Sequence, residues 1–196
     1  MKTLFFASEN RGKTLEMHKL LAGLAQVKNI TDLKIPVTWE ETGATFLANA
    51  QIKAHSLWQL IKEPVFADDS GLCVEALNGE PGVYSARWAG DSATDAMNRS
   101  KLLSALKDYP DEKLRRAYFI CCIVYINEKN EEFVFEGRLN GKITHSERGS
   151  RGFGYDSVFV PEGYDKTLAE LSLEEKNKLS HRAIAVQKLC KFLSLS

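Results

Sequence analysis

The stretch Ala117-Tyr-Phe-Ile-Cys-Cys-Ile-Val-Tyr-Ile126 is the best candidate for the central strand of the fold. Side chains alternate between the two faces of a strand, and in this stretch both faces are apolar. A strand with two apolar faces needs cover on both sides, which is typical of a sheet packed between helices. The stretch therefore predicts an α/β fold with this strand inside its sheet.

The segments around this strand predict helices and shorter strands. Thr45 and Thr94 are suited to be the N-caps of two amphipathic helices, and Ser172-x-x-Glu175 is a capping box that opens another. A further helix follows the first loop, where apolar residues recur at helical spacing, and an amphipathic helix ends the chain. Short strands are predicted at residues 2–7, 65–67, 72–76, 132–139, 142–145 and 157–160.

Two turns are predicted to separate neighbouring strands. The strand at 65–67 is expected to end at Asp68-Asp-Ser-Gly71, and Asn140-Gly141 is a signal for a two-residue type I′ hairpin. With the helices, these strands predict an α/β fold with a long mixed central β-sheet. We expect its flanking helices to form two lobes around an active-site cleft, within a single domain over residues 1–196.

The composition excludes several classes of protein. Apolar residues make up 44% of the 196 residues and charged residues 27%, an ordinary balance that argues against disorder. Lysine plus arginine number 26, as do aspartate plus glutamate, so no broadly basic nucleic-acid-binding surface is expected. No stretch reaches the roughly 20 apolar residues of a membrane span, and no secretion signal is expected before Ser8. Four cysteines without a C-x-x-C pair predict reduced thiols and a cytoplasmic protein.

The loop between the first strand and the first helix could bind phosphate. Backbone N–H groups at a helix N-terminus attract anions, and this loop adds hydroxyl, amide and cationic side chains. The loop lacks the Walker A pattern, so a capped, solvated turn is the alternative. The candidate phosphate-binding residues are Ser8, Glu9, Asn10, Arg11, Gly12 and Lys13.

Two acidic pairs could bind a divalent cation. Glu40-Glu41 precedes the second helix, and Asp68-Asp69 follows the strand at 65–67. Such carboxylates suit Mg²⁺, which takes one or two of them and shares its other positions with water and phosphates. Adjacent side chains of a strand face opposite ways, so only one of Asp68 and Asp69 is expected at the site. The alternative is that both pairs are solvated turn residues.

Three further segments could contact a nucleotide. Lys53 lies on a polar stripe of the second helix and faces either a phosphate or, as is common for lysine, water. The block Gly152-Phe-Gly-Tyr-Asp156 places a ring between two glycines, so Phe153 could stack on a planar ligand or belong to the core. Lys176 and Ser180-His-Arg182 supply donors for a phosphate or for the carbonyl of a base.

Six blocks of the chain occur in an order that resembles one protein family. They are Ser8-x-Asn10-x-x-Lys13, Glu40-Glu-Thr-Gly-x-Thr-Phe-x-x-Asn-Ala-x-x-Lys-Ala54, Ala67-Asp-Asp-Ser-Gly-Leu72, Pro81-Gly-Val-Tyr-Ser-Ala-Arg87, Gly152-Phe-Gly-Tyr-Asp156, and Ala169-Glu-Leu171 through Lys176 to Ser180-His-Arg182. Over nearly its whole length the chain thus resembles the inosine triphosphate pyrophosphatase, or Ham1-like, family. The resemblance implies a homodimeric, Mg²⁺-dependent enzyme that hydrolyses ITP, dITP and XTP to the monophosphate and pyrophosphate. Such an enzyme removes deaminated purines from the nucleotide pool.

The same resemblance implies roles for individual residues. Asp69 matches the catalytic base and a metal ligand, and Glu41, with Glu40 as a second candidate, matches the metal-binding acidic turn. The residues that match phosphate contacts are Ser8, Asn10, Lys13, Lys53 and Lys176. Those that match the base pocket are Phe153, Asp156, His181 and Arg182. Ser70, Gly154 and Tyr155 belong to the same blocks and complete the set of substrate-binding candidates.

Two positions depart from the family pattern. Glu9 stands where glycine is usual, and it places a negative charge beside the expected phosphate site. Ser157 stands where proline usually follows Asp156, and its freer backbone is expected to loosen that turn.

Two other functions remain open from the sequence. A Maf-like pyrophosphatase for pyrimidine or modified nucleotides has a similar fold and first loop, but the blocks around Phe153 and His181 argue against it. A nucleotide sensor with weak turnover is the other alternative, since Glu9 could weaken catalysis and leave binding intact.

Overall fold

The computed structural model describes residues 2–33 and 37–195. The helices are α1 (Arg11–Leu20), α2 (Phe46–Ile61), α3 (Asp95–Ala105), α4 (Leu173–Leu179) and α5 (His181–Leu195). The strands are β1 (Lys2–Phe6), β2 (Ala25–Asn29), β3 (Val65–Val74), β4 (Arg116–Ile126), β5 (Glu132–Ile143) and β6 (Phe159–Pro161). Thr45, Thr94 and Ser172 accept hydrogen bonds from backbone N–H groups at the starts of α2, α3 and α4, which confirms the three predicted caps.

The strands form a mixed six-stranded sheet in the order β2-β1-β3-β4-β5-β6. β1 runs parallel to β2 and to β3, whereas β5 and β6 are antiparallel. β4 contains the stretch that was expected to be central, and it lies inside the sheet with residues 121–126 buried. The predicted α/β class and central strand are confirmed.

The predicted break within the third strand is wrong, because β3 continues through Asp68 and Asp69 to residue 74. A strand can carry charged side chains in a buried position when nearby groups of opposite charge compensate them. Lys13 forms an ion pair with Asp68, and Lys53 forms one with Asp69. These partners are distant in sequence, so the local pattern could not reveal them.

The predicted hairpin at Asn140-Gly141 is also wrong, since β5 runs through both residues to Ile143. Gly141 instead pairs with Pro161 of β6. A Cβ atom at Gly141 would lie 2.3 Å from the carbonyl oxygen of Val160. Glycine is therefore required here for the close approach of two strands and not for a turn.

The sequence-based prediction lacks β2. The buried positions of this five-residue strand are Ala25, Val27 and Asn29, so only two apolar side chains contribute to the pattern. β2 pairs with β1 along its full length, and this pairing stabilises its extended conformation.

The residues group into two compact units, as the two predicted lobes require. The first unit contains the residues up to Asp69, Cys121–Gly137 and the residues from Arg182 onward. Its core includes the stacked rings of Phe6 and Phe66, whose centroids lie 4.6 Å apart. The unit contains β1, β2, α1 and α2 and most of α5.

The second unit contains Ser70–Ile120 and Arg138–His181. Its core includes the rings of Phe119 and Phe159, with centroids 4.7 Å apart. Arg115 is buried in this unit and donates hydrogen bonds to four backbone carbonyl oxygens. A buried cation satisfied in this way stabilises the fold and is not available to a ligand.

Cys73, Cys121, Cys122 and Cys190 are free thiols. Burial is the largest cause that raises the pKa of Cys122, to about 12, so this thiol is unreactive at neutral pH. Within residues 2–33 and 37–195, every helix is too short or too polar to cross a bilayer.

Candidate active site

Asp68 and Asp69 are neighbours in β3 but contact different helices. Oδ2 of Asp68 lies 3.1 Å from Nζ of Lys13, on α1. Oδ1 of Asp69 lies 3.2 Å from Nζ of Lys53, on α2. The two carboxylates therefore have separate surroundings, as the alternation of side chains along a strand predicts.

Asp68 belongs to a buried cluster that also contains Lys13, Arg182 and Glu16. Its Oδ2 accepts hydrogen bonds from Nε and Nη2 of Arg182, both at 3.3 Å, and Nη1 of Arg182 donates to Glu16. Burial alone would raise the pKa of Asp68, but the cations of Lys13 and Arg182 outweigh it and hold this pKa well below its usual range. Two carboxylates and two cations cancel, so this cluster carries no net charge.

A second cluster forms around Asp69, between β3, α2 and the turn that precedes α2. Nζ of Lys53 lies 2.8 Å from Oε1 of Glu41 as well as 3.2 Å from Asp69. Nδ2 of Asn49 donates to Asp69 at 3.2 Å, and its Oδ1 accepts from the Gly43 N–H at 2.8 Å. Asn49 thus ties the turn that carries Glu41 to the strand that carries Asp69.

The charges of this second cluster do not cancel. Asp69 and Glu41 each contribute a negative charge, whereas Lys53 contributes one positive charge. Burial is the largest cause that raises the pKa of Asp69; Glu41 and Asp68 add to the increase, and Lys53 and Lys13 oppose it. Burial would lower the pKa of Lys53, but the surrounding carboxylates outweigh it and raise this pKa, so Lys53 stays protonated. Asp69 is therefore more basic than an ordinary aspartate.

The donor set around Asp69 fits a hard divalent cation. Asp69 and Glu41 supply oxygen ligands that already converge on one cation, the ammonium group of Lys53. Among the residues that the structure describes, no three His, Cys, Asp or Glu side chains come together as a complete protein metal site. One or two carboxylates are the usual protein share for Mg²⁺, which leaves positions for phosphate and water. Glu40, the second candidate in the acidic turn, is exposed, whereas Glu41 is half-buried and faces Lys53.

The first loop has a compact, capped conformation. Asn10 is the N-cap of α1, and its Oδ1 accepts from the Lys13 N–H at 3.0 Å. The Asn10 N–H in turn donates to Oγ of Ser8 at 3.2 Å, and Ser8 is buried. Glu9 stands where glycine is usual in the family. Its side chain is exposed, so it does not disturb the turn. Arg11 is exposed as well, and the loop presents the N-terminus of α1 beside Lys13.

In the second unit, the turn at 152–156 is organised around Asp156. This buried carboxylate accepts from the Phe153 N–H at 3.0 Å and from Nζ of Lys176 at 2.6 Å. The same Nζ lies 4.7 Å from the centroid of the Phe153 ring. Gly152 has φ +77°, and a Cβ atom there would lie 2.0 Å from Oδ2 of Asp156. The turn therefore presents a half-buried ring and an ammonium group next to each other.

The remaining candidates occupy different surroundings. The Tyr155 hydroxyl donates to the carbonyl oxygen of Ser85 at 2.9 Å, and this buried side chain belongs to the core. The ring of His181 stacks on Phe119 at 4.7 Å with an interplanar angle of 10°. Ser70 is half-buried in β3, directly after the two aspartates. His181 is thus held in a fixed orientation, whereas Tyr155 is committed to packing.

The contacts of three residues of the first unit, Glu16, Arg182 and Asn49, were not predicted from the sequence. Glu16 had no predicted role, although it follows Lys13 by one turn of α1 and is buried, a combination that indicates an ion pair. Arg182 was expected to donate to the carbonyl of a base, and the structure engages its three nitrogens with Asp68 and Glu16. Asn49 was noted on the stripe beside Lys53, but its link to Asp69 depends on tertiary packing.

Known proteins resemble this chain over nearly its full length. The model of the Ham1 family matches residues 4–192. A dITP/XTP pyrophosphatase from Halalkalibacterium halodurans is 45% identical over 194 residues, which cover 98% of this chain and 100% of that protein. One from Thermoanaerobacter pseudethanolicus is 46% identical over 191 residues, with coverage of 97% and 96%. The solved structure of a HAM1 protein from Coxiella burnetii matches with a TM-score of 0.89 at 40% identity and covers 100% of both chains.

Proposed function

This chain belongs to the Ham1 family, and we propose that it hydrolyses deaminated purine nucleoside triphosphates. Its substrates are dITP, ITP and XTP, and its products are the nucleoside monophosphate and pyrophosphate, so that it cleanses the nucleotide pool. The relatives at 45% and 46% identity are named dITP/XTP pyrophosphatases. The observation that carries the proposal is the convergence of Glu41 and Asp69 on Lys53. This arrangement combines Asp69, a carboxylate with a raised pKa, with a second carboxylate and a cation. These groups suit the hydrolysis of a phosphate anhydride.

Asp69 is the proposed catalytic base. A water molecule attacks the α-phosphorus, and Asp69 accepts the proton that the water loses. The bond from this phosphorus to the oxygen that bridges to the β-phosphate breaks, and pyrophosphate leaves. The raised pKa of Asp69 favours this proton transfer because a more basic carboxylate holds the proton better.

Mg²⁺ is the proposed cofactor, held by Glu41 and Asp69, with Glu40 as a second candidate in the acidic turn. When bound, Mg²⁺ supplies positive charge against the phosphate oxygens. Lys53 contacts both carboxylates, and its long side chain can also reach a phosphate oxygen. The two carboxylates that meet at Lys53 support binding of a divalent cation.

The phosphates are proposed to bind the first loop and the lysines. Ser8, Asn10 and the N–H groups of the first turn of α1 provide polar contacts, and Lys13 and Lys53 provide positive charge. The candidate residue Glu9 lies in this loop, Arg11 and Gly12 lie in the first turn of α1, and Lys176 of the second unit is a further proposed phosphate contact.

The base is proposed to be recognised by Phe153, by the backbone of Gly154 and Tyr155, by Asp156, and by His181, Arg182 and Ser70. Phe153 offers a stacking surface, and His181 offers a ring nitrogen in a fixed orientation. A donor aimed at the 6-oxo group of a deaminated purine would face an amino group in an adenine nucleotide. Sites built on hydrogen bonds reject such a mismatch strongly, because buried polar groups lose their partners.

We also propose that the protein acts in the cytoplasm as a homodimer and that its whole length forms a single domain. The free thiols support a reducing compartment. Each of the two units is assembled from separated segments of the chain, which supports folding as one domain.

Turnover of a nucleotide panel tests the proposed function. We would supply dITP, ITP, XTP, GTP, ATP, dTTP and UTP with Mg²⁺ and separate pyrophosphate from orthophosphate among the products. Rapid cleavage of dITP, ITP or XTP to the monophosphate and pyrophosphate, with ATP and GTP slow, supports the proposal. Preference for dTTP or UTP would favour a Maf-like activity instead, and tight dITP binding without turnover would indicate a nucleotide sensor.

A further inference from the structure

Helix α3 holds the backbone of Gly154 at both of its polar groups. The Gly154 N–H donates to Oδ2 of Asp95 at 2.7 Å, and the Gly154 carbonyl oxygen accepts from Nη1 of Arg99 at 2.9 Å. Asp95 and Arg99 lie one helical turn apart on α3, so both side chains reach the same residue, one on each of the two peptide groups that flank its Cα. One face of one helix therefore fixes the residue that follows Phe153.

Glu147 extends this contact to the other end of the turn. Its Oε2 accepts from Nε of Arg99 at 2.8 Å and from the Ser157 hydroxyl at 2.9 Å. Ser157 is buried and directly follows Asp156. Oε2 of Glu147 thus links Arg99 of α3 to Ser157, the residue at which the sequence predicted a looser turn.

The turn needs such support because its own backbone is permissive. Gly152 and Gly154 have φ values of +77° and +60°, and glycine adopts many other conformations at little cost. On one side, Asp156 holds the turn through the Phe153 N–H and Lys176. On the side of α3, the turn borders a cavity of about 440 Å³ whose lining, apart from Phe153, consists of polar and small residues, so hydrogen bonds supply most of the restraint on this side.

We propose that Asp95, Arg99 and Glu147 are positioning residues for nucleotide recognition, which rests on the function proposed above for Phe153 and Asp156. These three residues and the Ser157 hydroxyl, here called the α3 clamp, keep the turn in the conformation that presents the Phe153 ring. The clamp touches neither substrate nor reacting atoms. It determines how large a fraction of the free protein is ready to bind the base.

This role makes a specific kinetic prediction. If the clamp is weakened, part of the protein leaves the binding-competent conformation. The apparent affinity for the nucleotide is then reduced in proportion to the fraction that remains competent. Once the nucleotide is bound, the turn is ordered again and chemistry proceeds as before. KM for dITP should therefore rise while kcat changes little, and a ligand without a base should bind as before.

The experiment compares Arg99→Gln with Lys107→Gln, a matched loss of one positive charge at an exposed position just beyond α3. Ser157→Ala, which removes a single hydroxyl, serves as a milder second clamp variant. For each protein we would measure kcat and KM with dITP, the affinity for inorganic tripolyphosphate with Mg²⁺, and hydrogen exchange of the peptide that covers residues 152–156. Circular dichroism would verify that each variant is folded.

For Arg99→Gln we expect KM for dITP to rise about five- to tenfold, kcat to stay within about twofold and tripolyphosphate affinity to stay within about twofold. Ser157→Ala should raise KM by about two- to threefold, and Lys107→Gln should match the wild type. Exchange of the 152–156 amides should be about tenfold faster in Arg99→Gln.

An Arg99→Gln protein with the KM and the amide exchange of Lys107→Gln would overturn the proposal, as would equal losses of dITP and tripolyphosphate affinity. The exchange experiment does not depend on catalysis. Faster exchange in a protein whose wild type does not cleave dITP would keep the clamp and reject the proposed function.

Discussion

The carboxylates of Asp68 and Asp69 are adjacent in one strand, yet they differ in their charged neighbours and in the direction in which their pKa is shifted. Asp68 faces two cations in a cluster whose charges cancel, and its pKa is held low. Asp69 shares the cation of Lys53 with Glu41, and burial together with the neighbouring carboxylates raises its pKa. Both carboxylates are buried, so burial alone does not separate them.

The difference teaches that the balance of neighbouring charges decides which aspartate is structural and which is reactive. A buried carboxylate whose charge is balanced by nearby cations is stable as an anion, so its pKa is low and it is a weak base. One with too few cations is a better base and a better ligand for an added divalent cation. The pleat of β3 produces this contrast, because it directs neighbours toward different helices.

The largest expected effect is on catalysis by Asp69→Asn. The amide cannot accept the proton of water and is a poorer metal ligand, so kcat for dITP should fall by about 10³-fold or more. Steady-state kinetics with purified protein measure this directly. A variant with nearly wild-type kcat would remove Asp69 from the role of base and erase the contrast with Asp68.

Asp68→Asn should act on stability instead. Removal of this carboxylate takes a close countercharge from the half-buried Lys13 and the buried Arg182, which is expected to cost about 3 kcal/mol in the free energy of unfolding. Urea denaturation of Asp68→Asn and Asp69→Asn gives the comparison. If Asp68→Asn kept wild-type stability and lost kcat as Asp69→Asn does, the assignment of the two residues would be reversed.

The acidic turn offers a matched pair of variants. Glu41→Gln removes a carboxylate that faces Lys53, and it should raise the Mg²⁺ concentration for half-maximal activity about tenfold. Glu40→Gln alters an exposed neighbour and should stay within about twofold of wild type. A larger effect of Glu40→Gln than of Glu41→Gln would show that Glu40, and not Glu41, is the metal ligand.

Lys53→Met tests whether the lysine occupies the position of a cation in the free protein. Without its ammonium group the cluster is more negative, so Mg²⁺ should bind the nucleotide-free protein about five- to tenfold more tightly. Tripolyphosphate affinity should fall in the same variant, because a phosphate contact is lost. Calorimetric titration of the two ligands gives both numbers, and weaker Mg²⁺ binding would contradict the expectation.

The smallest effect is a difference in pH dependence. The unfolded-state value for both aspartates is near 3.8. The depressed pKa of Asp68 contributes stability above that value, and this contribution is lost as the pH falls. The raised pKa of Asp69 contributes stability below it, which is lost as the pH rises through the folded pKa. Relative to wild type, Asp69→Asn should therefore gain stability as the pH rises above about 3.8, whereas the stability deficit of Asp68→Asn should shrink as the pH falls below that value. Parallel curves for the two variants in urea melts would refute the contrast.

Much of the scaffold could be read from local signals. The caps at Thr45, Thr94 and Ser172 were predictable because a side-chain oxygen and the N–H groups that it accepts lie within one helical turn. The central strand was predictable because both of its faces are apolar. The candidates Asp69 and Lys53 could be proposed from residue type and order, although a lysine on a helix usually faces water and Lys53 is buried.

The sequence by itself determined where α2, α3 and α4 begin, which strand lies inside the sheet and which blocks could carry phosphate chemistry, since these signals act over a few residues. Only the tertiary structure decided that β3 and β5 are continuous, that Arg182 pairs with Asp68 across 114 positions, and that Asp69 shares Lys53 with Glu41. The physical reason is the range of the forces involved. Capping and periodicity are local, whereas a buried charge is stabilised by whichever partners the folded chain brings within a few ångströms.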